Sequence, residues 1–162
     1  MKGVRKVLAV AIAAAMVSGP VSAAGCWSAE ATEAAVIRDF DTSMMVATLR
    51  CRLHGVDISS AYNQFVREKR PLLIAASDQL RTQFAVGRTT KASLDAFDSY
   101  ATALANSHGA GDALSCADYK ALAEAAVAAP ANRTALLELA SQAGVNPALP
   151  AERCNRQIAL AH

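Results

Sequence analysis

Four cysteines, Cys26, Cys51, Cys116 and Cys154, are the residues of this chain whose types and spacing point most directly to chemistry. Their number is even, their spacing is wide, and no Cys-x-x-Cys pair marks a zinc or thioredoxin-like site. The pattern predicts two disulfides. Cys26 has a competing chemistry, because Ala23-Ala24-Gly25-Cys26 fits a permissive lipobox with Ala where Leu is usual. A lipid on Cys26 would leave three thiols and strand one of them, so the expectation is a chain without a lipid anchor.

The other candidates have ordinary alternatives. His54 and His108 are each followed by glycine and so end helices. At one end of a bundle, near Asp57 and Asp112, they could hold a divalent ion. A histidine in a last helical turn is already favoured by the helix dipole, so no metal is expected. Met44-Met45 could handle copper, but adjacent helical residues point about 100° apart, which favours core packing. Arg67, Lys69 and Arg70 form a basic cluster beside Pro71, read as a solvated helix face and kept as a candidate docking patch for an acidic partner. Asn132-Arg133-Thr134 matches a glycosylation acceptor, and Asn132 also suits a helix cap. No Gly-x-Ser-x-Gly, His-Glu-x-x-His, P-loop or dinucleotide fingerprint is present. No catalytic residue and no cofactor are expected.

The compartment follows from the first 24 residues. Lys2, Arg5 and Lys6 precede an apolar run from Val7 to Val17, and Val21-Ser22-Ala23-Ala24 supplies small residues for cleavage. This is the pattern of a secretory signal peptide, cut after Ala23 or Ala24 to leave one domain over 25–162. The run spans roughly 16 Å as a helix, about half a bilayer core, so no retained transmembrane span is expected. The localisation read from it is periplasmic or secreted, where cysteines oxidise. The whole chain carries 16 basic and 14 acidic residues, net +2; without Lys2, Arg5 and Lys6 the remainder holds 13 and 14, net −1. A near-neutral domain gives no electrostatic reason to expect nucleic acid as a partner.

The elements that must position these residues are helices. Alanine is 38 of 162 residues, while Phe, Trp and Tyr together are 8, so helix is favoured but each buried side chain removes little surface from water. Gly55, Gly87, Gly109 and Gly144 each follow an apolar-periodic run and read as helix stops, with Val56 and Val145 placed for the contact of a Schellman cap. Helix 1 is predicted over Ser28 to His54, with Ile37, Phe40, Met44, Met45, Leu49 and Leu53 covering more than one face, hence central. A second helix follows Asp57 and reaches Val86, kinked or split at Pro71. A third starts near Thr90 with the stripe Leu94, Phe97, Ala101, Leu104, His108. A fourth starts near Ser115, with Asp118 completing a capping box, and ends at Pro130. A fifth runs from Asn132 to Gly144, and the stretch bearing Cys154 reads as one further turn of helix. Strand signals are missing. The fold class is all-α, an up-down helical bundle of four to five helices with two disulfides.

Met45-Val46-Ala47-Thr48-Leu49-Arg50-Cys51-Arg52, Tyr62-Asn63-Gln64-Phe65-Val66 and Ala103-Leu104-Ala105-Asn106 resemble segments of a family of small exported helical proteins of Gram-negative bacteria, over most of the chain after the signal. That resemblance brings no catalytic residue. Ser115-Cys116-Ala117-Asp118-Tyr119-Lys120-Ala121-Leu122 is locally similar to the cysteine-bearing helix start of the periplasmic acid-stress chaperones, which implies a helical, disulfide-bonded protein without cofactor. The function expected is that of an exported, non-enzymatic periplasmic binding or envelope-associated protein with an unidentified protein or envelope partner. A periplasmic stress chaperone and a metal-binding or enzymatic protein are the alternatives.

Geometry selects the disulfide pairing. Cys26 and Cys51 would lie near opposite ends of helix 1, roughly 37 Å apart, whereas a disulfide needs Cα atoms within about 7 Å. If Pro71 only kinks helix 2, alternating helix directions bring Cys116 beside Cys51 and leave Cys26 for Cys154. A true turn at Pro71 would favour Cys26–Cys116 with Cys51–Cys154.

Overall fold

The computed structural model describes residues 25–109 and 114–154, and the expected signal segment 1–24 lies outside them. Within the described residues the chain is all-helical: α1 (Ala29–Leu53), α2 (Ser59–Glu68), α3 (Arg70–Ala85), α4 (Thr90–Gly109), α5 (Cys116–Ala128) and α6 (Arg133–Gln142). Six helices stand where four to five were expected, because the second predicted helix is two. None of these helices is long and apolar enough to cross a membrane.

The helix ends follow local chemistry. Ser28 accepts from the Ala31 N–H at 3.1 Å to start α1. At the other end Val56 N–H reaches the Cys51 carbonyl and Gly55 N–H the Arg52 carbonyl, with Gly55 at φ 76°. That is the Schellman motif, which needs the left-handed conformation glycine adopts without penalty. Val145 and Gly144 repeat it after α6. Ser115 and Asp118 form the capping box of α5, and Asn132 accepts from Ala135 N–H to start α6.

Helix α1 packs against every other helix. Ala31, Ala34, Ala35 and Ala47 are buried on it beside Ile37, Phe40 and Met44. Small side chains let five neighbours approach one axis. The expected apolar face is cut short, however: Leu49 and Leu53 are 68% and 86% exposed, and Met45 also faces outward. Met44 and Met45 therefore divide between core and surface, as a 100° step requires. On α4 Phe97 and Leu104 are buried as expected, Leu94 is half-exposed, and Tyr100 takes the core position the stripe omitted.

The break between α2 and α3 falls at Lys69, with Pro71 in the first turn of α3, where a missing N–H costs nothing. Lys69 is only 3% exposed. Its Nζ donates to the Val127 carbonyl at 3.1 Å and the Ala129 carbonyl at 2.6 Å. These are carbonyls at the C-terminal end of α5, where a cation also suits the helix dipole. The reading of Lys69 as part of a solvated docking patch is thus corrected: it is a buried cap, and only Arg67 and Arg70 remain exposed.

Both disulfides pair as expected. Cys51 joins Cys116 with Cα atoms 5.5 Å apart, and Cys26 joins Cys154 at 4.9 Å. The helix is split at Pro71, yet the pairing does not invert. Phe65 of α2 packs edge-on against Phe40 in the middle of α1, and Phe84 of α3 packs against Trp27 just before it. The path through Lys69 bends but keeps descending along α1. The stretch bearing Cys154 is not a helical turn. It pairs with the start of the domain in an isolated parallel bridge, Trp27 N–H to the Glu152 carbonyl and Cys154 N–H to the Trp27 carbonyl, each 2.8 Å.

Two outcomes check this architecture. Replacing both Cys26 and Cys154 by Ala, which removes the widest covalent loop without leaving a thiol, is expected to lower the unfolding free energy by about 2–5 kcal/mol in urea titrations. Lys69→Met, which leaves the end of α5 uncapped, is expected to cost about 1–3 kcal/mol. Arg70→Met should stay within about 0.5 kcal/mol of the parent. Equal effects of the two substitutions would refute the buried cap.

Candidate functional site

Residues 39–43 of α1 (Asp39, Phe40, Asp41, Thr42 and Ser43) are all buried, so the helix is enclosed around its whole circumference at a point where it is polar. Thr42 Oγ1 donates to the Arg38 carbonyl and Ser43 Oγ to the Phe40 carbonyl, each bond staying within α1. The two carboxylates need partners from elsewhere, because an uncompensated buried charge is costly.

Asp41 binds Arg38 Nη1 at 2.8 Å and accepts from the Tyr62 hydroxyl of α2 at 3.1 Å. Burial pushes its carboxyl above the ordinary range, more than the Arg38 charge and the Tyr62 hydrogen bond pull it down. Burial and the negative charge of Asp41 in turn raise the Tyr62 phenol, so Tyr62 remains a donor.

Asp39, only 4% exposed, meets His108 Nε2 of α4 at 2.7 Å. This pair forms the floor of a cleft of about 450 Å³. Ser43, Tyr100, Leu104 and Tyr119 also line it, and residues 143–148, the chain leaving α6, close one side. The Schellman turn at Gly144 directs that stretch across the opening. Beneath the cleft Tyr100 is packed between Trp27 and Phe84, ring centroids 5.7 and 5.4 Å away. Tyr100 is 7% exposed, and its hydroxyl is buried with no hydrogen-bond partner among the described residues. Burial first, then the charge of Asp39, pushes its phenol well above the usual range, so the hydroxyl keeps its proton.

His108 therefore answers Asp39 rather than joining His54. The reason is where α4 ends. It stops beside the middle of α1, so His108 sits opposite Asp39, fifteen residues and about 22 Å along the helix from His54. His54 caps α1 and is exposed. Asp57 accepts from the Ser59 N–H, and Asp112 lies outside the described residues. Among the described residues no group of three or more His, Cys, Asp or Glu side chains is placed to hold a metal. The cleft serines are not set up as nucleophiles: Ser43 donates its hydroxyl to the Phe40 carbonyl and Ser107 to the Leu104 carbonyl. The cleft combines largely apolar walls with the hydrogen-bonded Asp39–His108 pair.

Sequence reasoning placed His108 at a helix end but missed Asp39 and Tyr100. The available signal was a polar run, Asp39 to Ser43, inside a helix read as central. A helix covered on all sides must bury such a run and answer it from its neighbours.

The perturbed Asp41 carboxyl makes stability depend on pH with a definite sign. In the unfolded chain it titrates near its ordinary value of 3.8, and in the folded protein it holds its proton to higher pH. Above 3.8 the folded state binds more protons than the unfolded state, so this contribution is present at low pH and lost as pH rises through the folded titration. The unfolding free energy of the parent, measured relative to Asp41→Asn, is expected to fall as pH rises above 3.8. A rising difference would contradict the burial-dominated reading.

Comparison with known proteins finds no matching family model, no similar curated protein and no similar solved structure.

Proposed function

We propose that this chain works outside the cytoplasm, in the periplasm or as a secreted protein, as a small non-enzymatic binding protein. In this reading an up-down helical bundle presents the cleft between α1, α4, α5 and the 143–148 stretch to a small ligand. The observation that carries it is the cleft itself, about 450 Å³ and largely apolar, with Asp39, His108 and Asn146 among its polar lining residues. Two disulfides support an oxidising compartment. The signal-like segment and the resemblance to small exported proteins point the same way. The basic residues Arg67 and Arg70 stay available for an envelope partner.

The test has two parts. Full-length chain expressed in a Gram-negative host is recovered from the periplasm, and its intact mass is expected to match cleavage after Ala23 or Ala24, both disulfides formed and no lipid. Native mass spectrometry then compares that protein with Ala103→Trp, which fills the cleft from its rim. A small molecule retained by the parent and absent from the variant supports the reading. A chain confined to the cytoplasm with free thiols would overturn it.

A further inference from the structure

The face of α1 turned away from the cleft carries a second cavity of different character. Asp41 stands two residues after Asp39 and so about 160° round the helix from it. With Arg38 it lines a groove of about 280 Å³ between α1 and the α2–α3 pair. Arg70, Ile74 and Arg81 of α3 line the same groove. Steps of four and seven residues put them on one face of that helix, with about 16 Å between the two arginines. Val66 of α2 and Leu73 of α3 add apolar surface. The cleft has no Lys or Arg among its described lining residues, whereas the groove has three arginines and one acid.

Solvent reaches the groups that would hold a ligand. The Arg38 and Arg81 side chains are 32% and 54% exposed, Arg70 is exposed, and Ile74 is 49% exposed. Arginine keeps its charge throughout the working pH range. Asp41 lies 2.8 Å from Arg38 and Asp78 lies 3.0 Å from Arg81, so two acids answer at most two of the three cations. The Arg70 side chain has no ion-pair or hydrogen-bond partner among the described residues. Its neighbours are already held in place, Arg38 by Asp41 and Arg81 over the Phe97 ring at 5.0 Å, which lowers the ordering cost of binding. Ile74 leaves apolar surface in water that a hydrocarbon chain would cover. A groove lined by eight residues suits a small molecule, because a stable protein interface takes about 20 residues a side. We propose that the groove binds a small amphipathic anion, a monocarboxylate with a short hydrocarbon chain, its head on the Arg70 guanidinium and its chain along Leu73 and Ile74.

Four probes separate charge from chain: octanoate, 1-octanol, octylammonium and acetate. Binding to the full disulfide-bonded protein is followed by chemical-shift changes of groove amides. Octanoate is expected to bind about tenfold more tightly than 1-octanol, through a hydrogen bond to a charged group. It should also bind about tenfold more tightly than acetate, through the covered chain. Octylammonium should bind more weakly than 1-octanol, and octanoate binding should weaken as salt is raised. Arg70→Gln changes an exposed position and should fold like the parent. It is expected to lose about tenfold in octanoate affinity and nothing in 1-octanol affinity. Arg67→Gln, an exposed arginine outside the groove lining, should change neither. Octylammonium binding as tightly as octanoate, or equal losses in Arg67→Gln and Arg70→Gln, overturns the proposal. So does octanoate shifting cleft amides and not groove amides. A short acidic peptide that shifts the groove amides at lower concentration than octanoate overturns the ligand class in favour of a protein partner.

Discussion

The enclosure of α1 is the constraint on which the rest of the structure depends. Over residues 39–44 α1 is buried on every side, yet this stretch carries Asp39, Asp41, Thr42 and Ser43. The hydroxyls turn back to their own helix. The carboxylates cannot, and each calls on a side chain from another element. Asp41 calls on Tyr62 of α2, and Asp39 calls on His108 of α4. These contacts are directional as well as favourable, so they set which face of α2 and which end of α4 meets α1. Apolar packing of alanine-rich surfaces alone would leave much of that register open.

The same economy of side-chain size explains the other supports. Alanine lets helices approach closely but removes little apolar surface per residue. The large buried side chains are few, with Phe40, Phe65, Met44, Ile58, Leu80 and Leu136 foremost. Covalent and polar connections supplement them. One disulfide holds the C-terminal turn of α1 to the start of α5, and the other closes the two ends of the described chain beside the Trp27–Arg153 bridge. Lys69 performs a related task without a covalent bond. It breaks a helix and uses the broken position to cap another, joining the α2–α3 corner to the end of α5.

The cleft arises from the same constraint. Asp39 is buried because α1 is enclosed, His108 is drawn to it because a buried carboxylate needs a partner, and α4 ends there. The chain leaving α6, residues 143–148, lines the cleft beside that pair. The fold has thus brought a hydrogen-bonded Asp39–His108 pair and Tyr100 to one cleft, with apolar residues around them. A purely structural role accounts for the pair, since His108 gives the buried Asp39 carboxyl a hydrogen-bond partner.

Much of this was legible in the chain itself, because it depended on neighbours in sequence. Helix starts at Ser28, Ser115 and Asn132 and stops at Gly55 and Gly144 follow from hydrogen bonds spanning a few residues, which local side-chain chemistry dictates. Two disulfides followed from cysteine parity, and their pairing from helix length and direction. The misplaced features all depend on distant neighbours. Whether Lys69 is solvated or buried turns on carbonyls some 58–60 positions away. Whether His108 sits beside His54 or Asp39 turns on where α4 stops along α1. Whether Leu53 is core or surface turns on how far the other helices reach. Periodicity marks which face of a helix is apolar, but only the packed neighbours decide which turns of that face are covered and which buried polar atom is left without a partner.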